Sequence, residues 1–335
     1  MIVEASTPTR IDLAGGTIDI WPLYLFHENA QTVNFAIDRY ATCRIETRDD
    51  GRIVLQSRDR GIRVEAYSVD ELSGDDELEL LSKLVYFFKP QSGLTITADC
   101  MAPAGAGLGG SSALNIAVCG AFNRMLGDKY ADEQLLHIAA NVETQVIKVP
   151  AGMQDYYPPL YGGVASIHLK TERLEREEIR VDIDELESRV VLCYTGKPRH
   201  SGTNNWEIFK KHIDGDREIF KLFDNIRDTA ARMRAALVAG DFDNLGAILA
   251  EEWENRKRLS ATVSTPRIDE LIEIARSNGA VGAKVCGAGG GGCVTFITEK
   301  GRKEEVEKSL LRAGADVIEF KIDRVGLRVR EVAGF

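Results

Sequence analysis

The chain has no two cysteines close enough to form a metal knuckle or a redox pair. Cys43, Cys100, Cys119, Cys193, Cys286 and Cys293 lie far apart, mostly inside apolar runs. That excludes C-x-x-C patterns and predicts reduced, buried thiols. The five histidines show no metal-ligand spacing, and no Ser-His-Asp set is suggested. No apolar run approaches the roughly 20 residues a spanning helix needs. Glu4, Arg10 and Asp12 interrupt the N-terminus where a signal peptide would carry an apolar core. A cytoplasmic protein without a membrane partner is expected. No lysine/arginine cluster makes a broad basic face, and the formal net charge is -10. Nucleic acid is therefore excluded as a partner, which leaves only a local cationic pocket for a phosphate. There is no internal repeat.

What is present is ordinary globular composition, 44% hydrophobic and 28% charged, over 335 residues, a length that suits two domains. Alternation from Gln31 to Ser57, broken at Asp50-Gly51, reads as a β-hairpin or meander. Leu78, Leu81, Leu84, Val85 and Phe88 recur at helical spacing, and Gly93 to Met101 alternates again. Ser112–Met125 and Asp132–Ile147 read as successive helices. A Pro/Gly/Tyr-rich segment, Val149 to Gly163, and a charged boundary region, Lys170 to Arg189, follow. Asn204 to Arg258 is mainly helical. Thr265-Pro266 opens another helix that stops before Gly279, and strand, glycine loop, strand, helix and two strands complete an α+β chain. The expected domains are 1–170 and 171–335.

Between the strand ending near Met101 and the helix from Ser112 lies "APAGAGLGGS". Glycines at a strand-to-helix turn let backbone approach a phosphate, where helix N-termini concentrate free N–H donors. Gly105, Gly107 and Gly110 satisfy G-x-G-x-x-G, but the segment after Asp128 is helical where a dinucleotide fold needs a strand ending in an acidic residue. The P-loop half-matches, with Ser111 at the lysine position. What survives is a glycine nest for phosphates with Ser111 or Ser112 offering oxygen to Mg²⁺. The alternative is a turn that merely lets helix and sheet pack closely.

The loop, Pro103-Ala104-Gly105-Ala106-Gly107-Leu108-Gly109-Gly110-Ser111-Ser112-Ala113, resembles the ATP-binding motif of the GHMP kinases (galactokinase, homoserine kinase, mevalonate kinase, phosphomevalonate kinase), close to P-x-G-x-G-L-G-S-S-A. "PTRIDLAGGTID", from Pro8 to Asp19, resembles the family's first motif and "KVCGAGGGGCVTF", from Lys284 to Phe296, its third. The resemblance implies an N-terminal domain like ribosomal protein S5 domain 2, a ferredoxin-like C-terminal domain, and ATP and Mg²⁺ as cofactors. It also implies a monomer or homodimer acting on a small molecule. ATP would bind at Pro103, Gly105, Ala106, Gly107, Leu108, Gly109, Gly110, Ser111 and Ser112.

By the same resemblance, Glu143 with Ser111 or Ser112 would hold Mg²⁺, and Asp155 in "AGMQDYY" would orient or deprotonate the acceptor hydroxyl. Arg10 joins Asp155 as a catalytic candidate, and Asp19, Gly16, Thr17, Gly152, Gln154, Arg199, Gly289 and Gly290 would face the acceptor. Gly16-Thr17 stands where galactokinases carry Glu-His, so galactose fits poorly. "RIDLAGG" with Asp19, and "GMQD", resemble the heptose-kinase and fucokinase branch, which implies phosphoryl transfer to a sugar or sugar phosphate. Mevalonate or phosphomevalonate is the runner-up acceptor, and a non-catalytic ATP- or sugar-sensing paralogue is the alternative of another class.

Overall fold

The computed structural model describes residues 1–72, 77–198 and 201–332, those at 201–205 by backbone alone. The first part of the chain supplies β1 (Ile2–Ala14), β2 (Gln31–Arg48), β3 (Ile53–Ser57), β4 (Ile62–Ala66), α1 (Glu79–Phe88) and β5 (Gly93–Cys100). Then come α2 (Gly110–Met125), α3 (Asp132–Ile147), the short α4 (Tyr157–Tyr161), β6 (Val164–Leu169) and β7 (Leu174–Glu178). The rest carries α5 (Ile183–Arg189), β8 (Val190–Tyr194), α6 (Ser201–Ile213), α7 (Arg217–Ala239), α8 (Phe242–Leu259) and α9 (Pro266–Arg276). It ends with β9 (Ala280–Val285), β10 (Cys293–Thr298), α10 (Lys303–Arg312), β11 (Asp316–Val317) and β12 (Arg328–Val332). No helix among the described residues is long and apolar enough to cross a membrane.

An eight-stranded sheet runs β12-β1-β2-β5-β3-β4, with β6 and β7 continuing from β2, and a four-stranded sheet runs β11-β8-β10-β9. The architecture is α+β, as expected. The hairpin expected over Gln31–Ser57 is not formed. Its turn exists, but β5 lies between the two strands, antiparallel to β2 and parallel to β3. Leu94 and Ile96 of β5 are fully buried, and the central position pairs both edges of that strand, which a β2–β3 hairpin would have left at an edge. Gly93 permits the insertion: a Cβ there would sit 2.5 Å from the Gly51 carbonyl carbon. The sheets also do not change over at residue 170, because β7 and β12 both hydrogen-bond into the larger one.

The long helical stretch resolves into three helices by local chemistry. Gly215 in the left-handed region and the Asp216 carboxylate, which accepts from the Glu218 and Ile219 amides, separate α6 from α7, and left-handed Gly240 ends α7. In α9 Thr265 Oγ1 caps the Ile268 amide and Pro266 takes the first position.

The two sheets share one apolar cluster, in which Ile11, Leu13, Val33 and Phe35 meet Leu192, Met233, Leu249 and Ile297. Within this seam lies a fully buried ion pair between Asp12 of β1 and Lys284 of β9. Lys284 also donates to the Asp12 carbonyl at 3.2 Å, and the Gly287 amide donates to Asp12 Oδ1 at 3.0 Å. Burial works against ionisation of Asp12, but Lys284, Arg10 and Arg256 together hold its pKa down at about 2.

A second polar cluster sits outside the seam. His27 Nδ1 meets Asp224 Oδ1 at 2.9 Å and His27 Nε2 meets His212 Nε2 at 2.9 Å, among Phe26, Phe220 and Phe223. If His27 Nδ1 donates to Asp224, its Nε2 accepts from His212, so His27 is neutral and the two rings cannot both be charged. Burial lowers both pKa values, that of His212 to about 4.

Two predictions follow from these clusters. Lys284→Met strands the Asp12 carboxylate and should cost roughly 3–5 kcal/mol in urea unfolding; a loss below about 1 kcal/mol would show that the pair does not secure the seam. For His212, the unfolded chain takes up a proton near pH 6.5 and the native chain only near 4, so stability should fall as pH drops through that window and level off below it, with the lowered pKa of His27 adding in the same direction. His212→Phe should flatten that part of a melting-temperature profile, and an unchanged slope would count against the neutral pair.

Candidate active site

The glycine loop between β5 and α2 is built from backbone that side chains disfavour: Gly105, Gly107 and Gly109 have φ of +69°, +80° and +71°. It is held from beneath by three bonds. Arg10 Nη1 donates to the Gly107 carbonyl at 2.5 Å, the Arg10 amide to that of Leu108 at 3.0 Å, and the Cys293 amide to that of Ala106 at 2.7 Å. Gly292 must lack a Cβ, which would fall 2.5 Å from the Ala106 oxygen. Pro103 and Gly105 to Ser112 all line one cavity of about 570 Å³, at the N-terminus of α2.

Glu143 of α3 reaches the start of α2. Its Oε2 accepts from Ser112 Oγ and from the Tyr156 hydroxyl, both at 2.9 Å, and Ser111 adds a further bond. Burial raises the Glu143 pKa, with the hydrogen bonds opposing it, so the carboxylate lacks a counter-charge. Among the described residues no group of three or more His, Cys, Asp or Glu could hold a metal ion alone. The oxygen-only set of Glu143, Ser111 and Ser112 nevertheless suits Mg²⁺, which takes one or two carboxylates and completes its shell with phosphate and water.

Asp155 lies at the end of a 3-10 turn, Met153–Asp155, and faces the same cavity. Arg10 Nε and Nη2 both donate to its Oδ1, at 2.8 and 2.6 Å. Asp155 Oδ2 therefore has no protein partner among the described residues. Asp19 is buried beside it, accepts from the Gln154 amide at 2.9 Å, and has its pKa pushed up to about 7 by burial and, after that, by the Asp155 charge. Gly152 exists to admit Asp19, whose Oδ2 would stand 2.5 Å from a Cβ. Thr17 is a β-branched residue at φ +76°, an unusual conformation for such a side chain, and it too lines the cavity.

Most sequence-predicted residues thus converge. Gly289 and Gly290 do not: a Cβ on Gly289 would meet the Val263 carbonyl, and the Gly290 amide donates to it at 2.8 Å. The cavity is lined instead by Gly287 and Ala288. The expected acceptor contact of Gly289 and Gly290 is corrected accordingly: their glycine character serves a tight pass against the loop before α9. Arg199 lies outside the described residues. Two residues of α8 escaped the sequence reading, Glu252 and Arg256, both buried at the site end of that helix. Their only sequence signal is i, i+4 charge spacing, which ordinarily marks a solvated helix face.

Comparison with known proteins places this geometry in a family. Residues 78–163 match the model of the GHMP kinases N terminal domain, and residues 233–316 that of the GHMP kinases C terminal. The chain is 29% identical to a D-glycero-alpha-D-manno-heptose 7-phosphate kinase from Campylobacter jejuni, over 97% of this chain and 98% of the relative. It is 26% identical to a mevalonate kinase from Thermococcus sibiricus, over 99% of both chains. The crystal structure of a D-glycero-D-manno-heptose 1-phosphate kinase from Bacteroides thetaiotaomicron superposes with a TM-score of 0.80 at 26% identity, covering 99% of this chain and 100% of that one. The first model takes in the glycine loop, Glu143 and Asp155, the second Arg256 and the third motif, and the chain belongs to the GHMP kinases.

Proposed function

We propose that the protein transfers the γ-phosphoryl group of ATP to a hydroxyl of a sugar or sugar phosphate, of heptose 7-phosphate, fucose or related hexose type. The observation that carries this reading is the placement of Asp155. One carboxylate oxygen is locked by Arg10 and the other is unengaged, in a single cavity that has a phosphate-type glycine loop on one side and Thr17 and Asp19 on the other. The heptose kinase relatives support a sugar-type acceptor.

In this mechanism the loop amides hold the ATP phosphates, and Glu143 with Ser111 and Ser112 holds Mg²⁺. When bound, the metal neutralises charge on the β- and γ-oxygens. Arg10 fixes Asp155 so that Oδ2 accepts the hydroxyl hydrogen and aims its oxygen at the phosphorus. As the new O–P bond forms and the bond to the ADP oxygen breaks, the proton passes to Asp155 late in the transfer. Asp19, whose Oδ2 accepts from the Gln154 amide, supplies Oδ1 to a neighbouring hydroxyl.

The test is ADP release from Mg·ATP across free sugars, hexose and heptose phosphates, mevalonate and phosphomevalonate. Turnover on a sugar class is expected, and Asp155→Asn should cut it by about 10²–10⁴-fold with little change in ATP affinity. Turnover on mevalonate compounds alone would replace the sugar reading with an isoprenoid kinase. ATP binding without turnover on any acceptor would replace it with a sensor.

A further inference from the structure

Two buried cations line the cavity, Arg10 and Arg256, at 1% and 2% exposure, and a third, Lys284, lies in the seam at 0%. Arg10 is paired with Asp155 and Lys284 with Asp12. Arg256 has no carboxylate within 4.0 Å among the described residues. Its Nη2 donates to the Gly287 carbonyl at 2.8 Å, while Nε and Nη1 have no partner. The neighbouring carboxylates, Asp12 and Glu252, share its field but make their hydrogen bonds elsewhere. Glu252, one turn earlier on α8, accepts from the Gly15 amide at 3.1 Å and from Thr229 Oγ1 at 2.7 Å, one bond to each oxygen. Asp12 gives one oxygen to the Gly287 amide and the other to Lys284.

A buried guanidinium with two unmet donors is costly to maintain unless something else brings the missing acceptor. Its position says where that partner would come from. Arg256 lines the cavity, and Nη1 sits 2.5 Å from where a Cβ on Gly16 would be, with Gln154 Nε2 at 3.1 Å and Asp12 Oδ2 at 3.2 Å from the same point. The space that a side chain at position 16 would take is filled by an arginine from the other half of the chain, which places a positively charged hydrogen-bond donor there.

We propose that Arg256 is a specificity-determining residue that binds an oxyanion of the acceptor, so that the preferred acceptor is a phosphorylated sugar rather than a free one. This rests on the sugar-kinase reading above. The ATP phosphates are the other possible source of an oxyanion, but the glycine loop meets Arg10, whereas Arg256 adjoins Gly16, Gln154 and Gly287. A guanidinium fork matches a phosphate's oxygens in geometry as well as charge.

The experiment compares matched pairs of free and phosphorylated hexoses and heptoses in steady-state kinetics, for the wild type, Arg256→Met and Arg256→Lys. The wild type should favour the phosphorylated member. Arg256→Met should lower the phosphorylated-to-free ratio of kcat/KM by on the order of 100-fold, as expected for one desolvated charge pair, while the KM for ATP moves less than about threefold. Arg256→Lys should recover part of the ratio, because it restores charge without the fork. Should Arg256→Met fail to fold, inorganic phosphate provides a test on the wild type: it should compete with the phosphorylated acceptor and not with ATP. Equal losses for both sugars, a matching rise in the KM for ATP, or phosphate competing with ATP alone would overturn the assignment. A wild type that turns over sugars with no preference for phosphate would overturn it too and leave the sugar kinase standing. Absence of turnover on every sugar would instead remove the sugar-kinase reading itself.

Discussion

The site depends on one buried carboxylate. Asp12 sits near the end of β1, at the seam of the two sheets, and its ionised state is costly there by itself. Lys284 from β9 and the Gly287 amide make it tolerable, and in doing so they fix the third glycine motif against the first strand. From that anchor the chain reaches Gly292 and Cys293, whose backbones close on Ala106 inside the phosphate-type loop. Three motifs distributed from Pro8 to Phe296 are therefore one mechanical unit, and the loop's shape is a consequence of the seam.

The same few ångströms hold four acids in distinct electrostatic settings, and the division of labour follows from their neighbours. Asp12 has cations on several sides and is held ionised. Asp19 has burial and a nearby carboxylate, so its pKa sits near neutrality. Glu143 has burial and hydroxyls only, which leaves it in want of a cation. Asp155 is the one partly exposed member, 28% accessible, with a single arginine behind it. In the proposed mechanism that last arrangement offers an accessible carboxylate oxygen to the reacting hydroxyl, while Glu143 would hold a metal and Asp12 secures the fold.

How much of this was legible in the sequence divides along local and non-local lines. Asp132–Ile147 was readable to the residue because period, Gln134 capping and the left-handed stop at Lys148 all act within one element. The glycine loop was readable because its motif is contiguous, whereas Glu143 and Asp155 were reached only through the resemblance that motif carries. The insertion of β5 between β2 and β3 was not, since a local turn signal says nothing about a parallel partner contributed by a later segment. Neither was the return of β12 to β1, whose partner lies more than three hundred residues away. Arg256 and Glu252 were invisible for a different reason. In a helix, charges four residues apart look like a solvent-facing pair, and only tertiary packing shows that each bonds elsewhere.

The acceptor end joins these points. Thr17 is held at a positive φ that a β-branched residue adopts at a cost, and such strain persists only where surroundings over-determine it. Those surroundings come from both halves: Gln154 and Gly152 from the turn after α3, Arg256 from α8, and Gly287 from the third motif. A Cβ on Gly16 would meet Arg256 Nη1 at 2.5 Å, and Arg256 Nη2 is held by the Gly287 carbonyl. The pocket proposed to read the acceptor thus depends, like the phosphate-type loop, on the sheet-to-sheet seam rather than on either half alone.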